Sequence, residues 1–342
     1  MKEIRETAKK NMQGYCRVCA VCNGKSCAGE VPGMGGIGTG SSFTANIESL
    51  SALRFNMRLI HDIQEPDTRV SILGKSLDIP VLAAPIGGVS FNMGGRISEE
   101  DYINAVLEGC YEKNTLGCVG DGVPGFIHET GYAAIKKLNG KGIPFIKPWE
   151  DREFLEKLEK AAATGADIMG MDIDAAGLIT LKLMGRPVSP KSPDKLADII
   201  EMIKKKTSMK FILKGIMTPD EAVLAVKAGA DAIAVSNHGG RVLDHVPGAA
   251  EVLPGIADAV KGRITILADG GIRTGGDVLK MLALGADAIM IGRPFSIAAL
   301  GGLKKGVIKY LEQIKSELVS AMVLTGCKRV THVSRSILYK SS

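Results

Sequence analysis

The chain has 342 residues, a formal net charge of +6, 45% hydrophobic residues and only 4% aromatic ones. That length admits one large α/β barrel or two ordinary domains, with a core built mainly from Ala, Val, Ile, Leu and Met. The basic residues are scattered and form no basic–aromatic stripe, and no run approaches 18 apolar residues, which argues against nucleic acid and against a membrane span.

The charged start MKEIRETAKKNMQGYC reads as a helix without the apolar core of a signal peptide, so the expected setting is cytoplasmic. YCRVCAVCNGKSCAGE follows, with Cys16, Cys19, Cys22 and Cys27 spaced C-x2-C-x2-C-x4-C. Four thiols within twelve residues of such a chain point to a metal site rather than disulfides. The first three spacings match the ferredoxin pattern and the fourth departs from it, so a [4Fe–4S] cluster and a structural zinc both stand. Cys110, Cys118 and Cys327 read as isolated core thiols. GMGGIG (33–38) matches G-x-G-x-x-G, but no strand precedes it and no crossover follows, so it reads as a tight backbone passage and not a dinucleotide site.

From residue 79 one rhythm repeats eight times: a short apolar run, a loop, then an amphipathic stretch. The runs are 79–84, 115–120, 143–147, 166–172, 209–215, 230–236, 264–270 and 286–292. Near-continuous apolar runs suit strands buried on both faces of a parallel sheet. Between them, 98–113 opens on Ser98 with Asp101 three residues on, while 218–230 and 274–286 open on threonine and close on Gly-Ala. Eight such units in this length predict a (β/α)8 TIM barrel over 79–342, including a C-terminal helix across 300–323. Residues 1–78 form an N-terminal helical, cysteine-rich extension packed on it.

In such barrels chemistry sits where the strands end. The residues closing the runs are Pro85, Ile86 and Gly87; Gly120 and Asp121; Lys147; Asp172; Lys214; Ser236 to Arg241; Asp269 to Arg273; and Gly292 with Arg293. ADGGIRTGGD (268–277) and IGRPF (291–295) place consecutive glycines and an arginine before helix starts at adjacent strand ends, which suits a phosphate.

SNHGGRVLD (236–244), FILKGI (211–216) and the stretch 253–294 closely resemble the FMN-dependent α-hydroxy-acid oxidases and dehydrogenases, such as glycolate and lactate oxidases. The likeness is strong over 211–295, fair over 67–85 and weak elsewhere. It implies FMN, hydride transfer from a small 2-hydroxy acid to flavin N5, and a homo-oligomer, with oxygen or a redox partner as electron acceptor. By the same resemblance His238 is the base that takes the hydroxyl proton, Asp172 supports its imidazolium and Arg241 holds the substrate carboxylate. Lys214 would stabilise the reduced ring, and Ser236 would bond the flavin or its ribityl chain. Asp269, Gly271, Arg273, Gly292 and Arg293 would bind ribityl and phosphate, and Pro85, Ile86, Gly87, Lys147, Gly239 and Gly270 complete the expected cofactor contacts.

The chain departs from that family at the third strand end, which reads IPFIKPWEDRE where the family has QLY, and after Asp172, where MDIDAAGLITLKLMGRP offers only Arg186 as a second substrate arginine. Asp121 and Asp174 are expected to make the pocket more polar. The alternatives are an FMN- or nucleotide-phosphate barrel of another class, resembling type 2 isopentenyl-diphosphate isomerase or inosine-monophosphate dehydrogenase, and an electron-transfer flavoprotein with a metal cluster.

Overall fold

The eight apolar runs form the eight parallel strands of one closed barrel in the computed structural model, which describes residues 1–186 and 188–339. We number them β1 (Val81–Ile86), β2 (Gly117–Val119), β3 (Ile143–Ile146), β4 (Ile168–Asp172), β5 (Lys210–Ile216), β6 (Ala232–Val235), β7 (Thr265–Ala268) and β8 (Ala288–Ile291). Each pairs with its sequence neighbours, and β8 closes on β1 through Ile289 opposite Val81. β2, β3, β4, β6 and β8 are buried along their whole length, because the barrel interior covers one face and the helices the other.

The helix starts follow the side chains that signalled them. Ser98 Oγ accepts from Asp101 N–H at 3.0 Å ahead of helix Glu99–Glu112. Thr274 and Asp277 form a reciprocal capping box at the start of Gly275–Leu284. A hairpin that the sequence reading left out, Val70–Ile72 against Lys75–Leu77, turns through Leu73 (φ 50) and Gly74 (φ 82). Two consecutive positive φ values are what a type I′ hairpin turn requires.

The C-terminal helix is longer than expected, Arg293–Thr325, and it is broken at Leu303 (φ 47). Gly301 explains the close packing there: a Cβ would lie 2.0 Å from Ile4 O, so the N-terminal helix Lys2–Asn11 crosses directly over it. The helix Ser41–Ala52 packs against Ala249–Val260. Between these two anchors the chain from Cys16 to Gly40 runs to the barrel mouth, where Ile37 N–H donates to Gly240 O at 2.8 Å. The expected barrel unit ends at 342, and its last three residues lie outside the described ones.

Candidate active site at the barrel mouth

The loop after β6 turns sharply, with His238 (φ 55), Gly239 (φ 63) and Gly240 (φ 76) all left-handed. Histidine tolerates this region better than most side chains, and Gly239 suits glycine, because its φ is left-handed and a Cβ would push Arg293 Nη1, 2.5 Å away, out of place. Asn237 locks the turn. Its Oδ1 accepts from Asn46 Nδ2 (2.8 Å) and Gly240 N–H (3.1 Å), and its Nδ2 donates to Pro247 O (3.1 Å). Ser236 Oγ accepts from His238 N–H (3.1 Å) and donates to Asp269 Oδ2 (2.9 Å).

His238 Nδ1 lies 2.9 Å from Asp174 Oδ1. An ionised carboxylate only accepts, so Nδ1 carries the hydrogen and Nε2 keeps its lone pair for a proton. The hydrogen bond to the ring is thus made by Asp174, while Asp172, expected to support the imidazolium, lies within 4.8 Å of the same group. The strand register puts Asp172 directly opposite Lys214, and its oxygen is 3.1 Å from that ammonium. Past β4 the chain winds into a short 3-10 turn, Ile173–Gly177, which carries Asp174 around towards β6. Gly215 (φ 111) makes room, since a Cβ there would meet Asp174 Cβ at 2.7 Å.

Asp172, Asp174 and His238 offer ligand atoms within 4.8 Å of one another, but the Lys214 ammonium already supplies the cation in that group. Lys214 is buried, which works against its charge. The carboxylates of Asp172, Asp174 and Asp269 outweigh burial and hold it above the ordinary lysine range. Burial likewise opposes ionisation of Asp172, and Lys214 and His238 overcome it, so Asp172 titrates below the usual range. Asp269, 3.9 Å from Lys214, is pushed up by burial. Were His238 the base that the sequence resemblance implies, Asp174→Asn would slow its proton removal by about 10- to 100-fold, the order that the partner orienting a ligating histidine is worth. Asp172→Asn should act mainly through Lys214, and comparing the rates of the two variants separates the two effects.

Three half-buried arginines crowd the other side. Among the described residues Arg293 donates only to main-chain carbonyls, Met34 O (2.8 Å), Gly35 O (3.1 Å) and Gly239 O (3.1 Å), and lies 4.0 Å over the Phe43 ring. Arg241 donates to Gly33 O, to Gly35 O (3.3 Å) and to Asn92 Oδ1 (3.0 Å). Arg273 reaches its neighbour's carbonyl and Cys22 Sγ, and its Nε is buried without a partner. Burial, then the charges of Arg241 and Arg273, push Arg293 down to about 9. Cations packed together at such cost define a place for an anion.

One cleft of about 270 Å³ collects Pro85, Ile86, Gly87, Lys147, Asp172, Lys214, His238, Gly239, Arg241, Asp269, Gly270, Gly271, Arg273, Gly292 and Arg293. Ser236 is fully buried behind it. Cys16, Cys19, Cys22 and Cys27 line a separate pocket. Asn92, Asp174 and the carbonyls of Gly33 to Gly35 belong to the site although the sequence reading did not assign them these roles. The clue to the last was GMGGIG as a tight passage; its carbonyls face two arginines.

Two further expectations change. Asp121 does not make the cleft more polar, because both its carboxylate oxygens are spent: on Gly122 N–H (2.8 Å) and Lys157 Nζ (2.7 Å), and on Lys147 N–H (3.1 Å) and Trp149 Nε1 (2.6 Å). Lys147 Nζ in turn donates to Asp121 O. Arg186 lies outside the cleft, paired with Glu153 and 5.3 Å from the Trp149 ring, so it offers no second substrate cation. The cleft's outer wall is instead apolar: Phe91, Val123, Leu178, Leu181, Leu183 and Met184.

Comparison with known proteins gives a consistent picture. The family model described as FMN-dependent dehydrogenase matches residues 33–180 and 182–340. The 2-hydroxyacid oxidase 2 of Bos taurus is 30% identical over 318 residues, covering 86% of this chain and 88% of that protein. An L-lactate dehydrogenase of Yersinia pestis is 52% identical over 139 residues, 41% of this chain and 36% of that one. Among solved structures, a mandelate oxidase with 2-hydroxy-phenylacetamide superposes with a TM-score of 0.78 at 26% identity, covering 99% of this chain and 97% of the other. A lactate oxidase of Pediococcus acidilactici, at 23% identity and TM-score 0.80 over 100% and 94% of the two chains, shares the fold.

Proposed function

The chain belongs to the FMN-dependent dehydrogenase family, and from that premise we propose the part each residue takes in an FMN-dependent oxidation of a small 2-hydroxy acid, lactate- or glycolate-like, to the 2-oxo acid. The residues present fit FMN. Arg273 has an unpartnered buried Nε, and Arg293 has no carboxylate partner among the described residues. Both stand beside the glycines of the β7 and β8 ends, where a phosphate is expected to bind.

Arg273, Arg293, Gly270, Gly271 and Gly292 would hold the phosphate end, with Asp269 and Ser236 on the ribityl side. Pro85, Ile86, Gly87, Gly239 and Lys147 would pack along the ring system. FMN, when bound, supplies the hydride acceptor. Lys214 sets a fixed positive charge in the cleft, where negative charge on a reduced ring would develop. His238 Nε2 takes the substrate hydroxyl proton, and Asp174 keeps the ring oriented and stabilises its cation. Arg241 offers its planar donors to the substrate carboxylate, exchanging the loop carbonyls it now holds. The apolar outer wall suits a substrate whose third substituent is small or hydrocarbon.

The observation carrying this reading is the convergence of the His238–Asp174 pair, Lys214 and Arg241 on one cleft. The proposal also includes a metal at the four cysteines, a [4Fe–4S] cluster or zinc, and a cytoplasmic homo-oligomer that passes electrons to oxygen or a redox partner. No helix among the described residues is long and apolar enough to cross a membrane. An anaerobic spectrum tests the central claim. The purified protein is expected to be yellow and to bleach with at least one acid from a panel of 2-hydroxy acids. Colourless protein that does not take up FMN would overturn it. Yellow protein that no acid bleaches would return the site to a flavin barrel of another class.

A further inference from the structure

Cys16, Cys19, Cys22 and Cys27 are unpaired and half-buried, and together with Phe43 and Arg293 they wall a small pocket of largely apolar surface. We propose that this pocket is the site of a [4Fe–4S] cluster bound by all four thiolates, set against the flavin cleft. The inference deepens the metal part of the reading above and rests on it.

As the chain stands, the sulfurs are not gathered as a four-thiolate zinc holds them. A tetrahedral zinc held by four thiolates, with Zn–S bonds of about 2.3 Å, draws them to about 3.8 Å of one another. Among the described residues, the Sγ atoms include no three within 4.8 Å; the one trio of ligand-type groups that close is Asp172, Asp174 and His238. A cubane cluster binds each thiolate at a different corner iron and so holds them farther apart, around a space of its own. The chain order agrees, because C-x2-C-x2-C wraps three corners of such a cluster, whereas zinc sites pair separate C-x2-4-C knuckles.

The charges and hydrogen bonds also suit a cluster. A cubane with four thiolates is an anion in a nearly dry pocket, and it needs cations and N–H groups around its sulfurs. Arg273 Nη2 already donates to Cys22 Sγ at 3.5 Å, and Val18 N–H points at Cys16 Sγ at 3.4 Å. Val18 itself takes a left-handed conformation (φ 46), a strained one for a β-branched residue. Arg293, half-buried and without a carboxylate partner among the described residues, lines this pocket and the flavin cleft alike, as does Met34. One guanidinium thus faces two anion sites.

The cysteine segment also leads straight into the carbonyls that hold the mouth arginines. Glu30 N–H donates to Cys27 O (3.2 Å), Gly35 N–H to Glu30 O (3.2 Å), and Gly35 O accepts from Arg241 and Arg293. A cluster that fixes Cys27 therefore fixes the strap that places both arginines.

The test is iron, acid-labile sulfide, zinc and FMN, each measured per chain on full-length protein prepared without oxygen and reconstituted with iron and sulfide. Four iron and four sulfide per chain are expected, with a paramagnetic signal after dithionite that Cys22→Ser loses and Cys110→Ser keeps. Zinc without sulfide would overturn the proposal. So would four freely alkylated thiols with no metal, a result read on the unmodified chain and independent of how the variants fold. FMN is counted separately, so loss of the flavin reading and loss of the cluster reading give different results.

Discussion

His238→Asn is expected to slow substrate-driven flavin reduction by about 10²- to 10⁴-fold, the usual worth of a general base, while FMN stays bound. Asparagine is the informative replacement because the turn requires φ 55 at this position, and Asn adopts that region readily. The variant thereby separates lost chemistry from backbone strain. The turn's other ties do not depend on the imidazole: they run through Asn237, Ser236 and the 238 main chain. Anaerobic stopped-flow reduction at saturating substrate reads the effect, and the flavin-to-protein ratio checks binding. Unchanged reduction would remove His238 from the proton transfer, and the Asp174 contact would then be a structural bond only.

Lys214→Met should have the largest effect on the protein itself. It leaves Asp172 and Asp269, both buried, without the ammonium at 3.1 and 3.9 Å. Breaking a buried pair by removing one partner costs about 3–5 kcal/mol, because the remaining charge is uncompensated. The expected results are a lower urea midpoint, loss of FMN, and a rise in the pKa of Asp172, which now titrates low chiefly because Lys214 offsets its burial. The sign is checked by the companion change. Asp172→Asn in the Lys214→Met background removes the stranded charge and should restore much of the lost stability. If the double variant is no more stable than Lys214→Met, the Asp172–Lys214 pair is not what holds this part of the barrel, and the charge is borne by Asp269 instead.

What was legible in the chain was whatever depends on local pattern. The eight apolar runs became the eight barrel strands because a strand covered on both faces can carry almost nothing polar along its length. Ser98 and Thr274 marked helix starts because a side-chain oxygen satisfies free N–H groups wherever the helix lies. Knowing that strands end at a common mouth was then enough to gather nearly all the expected residues into one cleft.

What stayed illegible were pairings between segments distant in sequence. MDID holds two aspartates two residues apart, and nothing local says which one meets His238. The β4–β5 register assigned Asp172 to Lys214, and the turn after β4 delivered Asp174 across Gly215 to the histidine. Asp121 looked like a cleft carboxylate until Lys157 and Trp149, arriving from the next unit, used up its oxygens. Arg186 follows Met184 of the cleft wall by two residues, yet its side chain pairs with Glu153 outside the cleft. By itself the sequence determined the barrel, the mouth and the set of charged groups brought there, since strand burial and helix caps act over a few residues. The tertiary structure alone decided which charge faces which. Ionic and hydrogen-bond partners are chosen by distances of about 3 Å that only strand register and loop closure set.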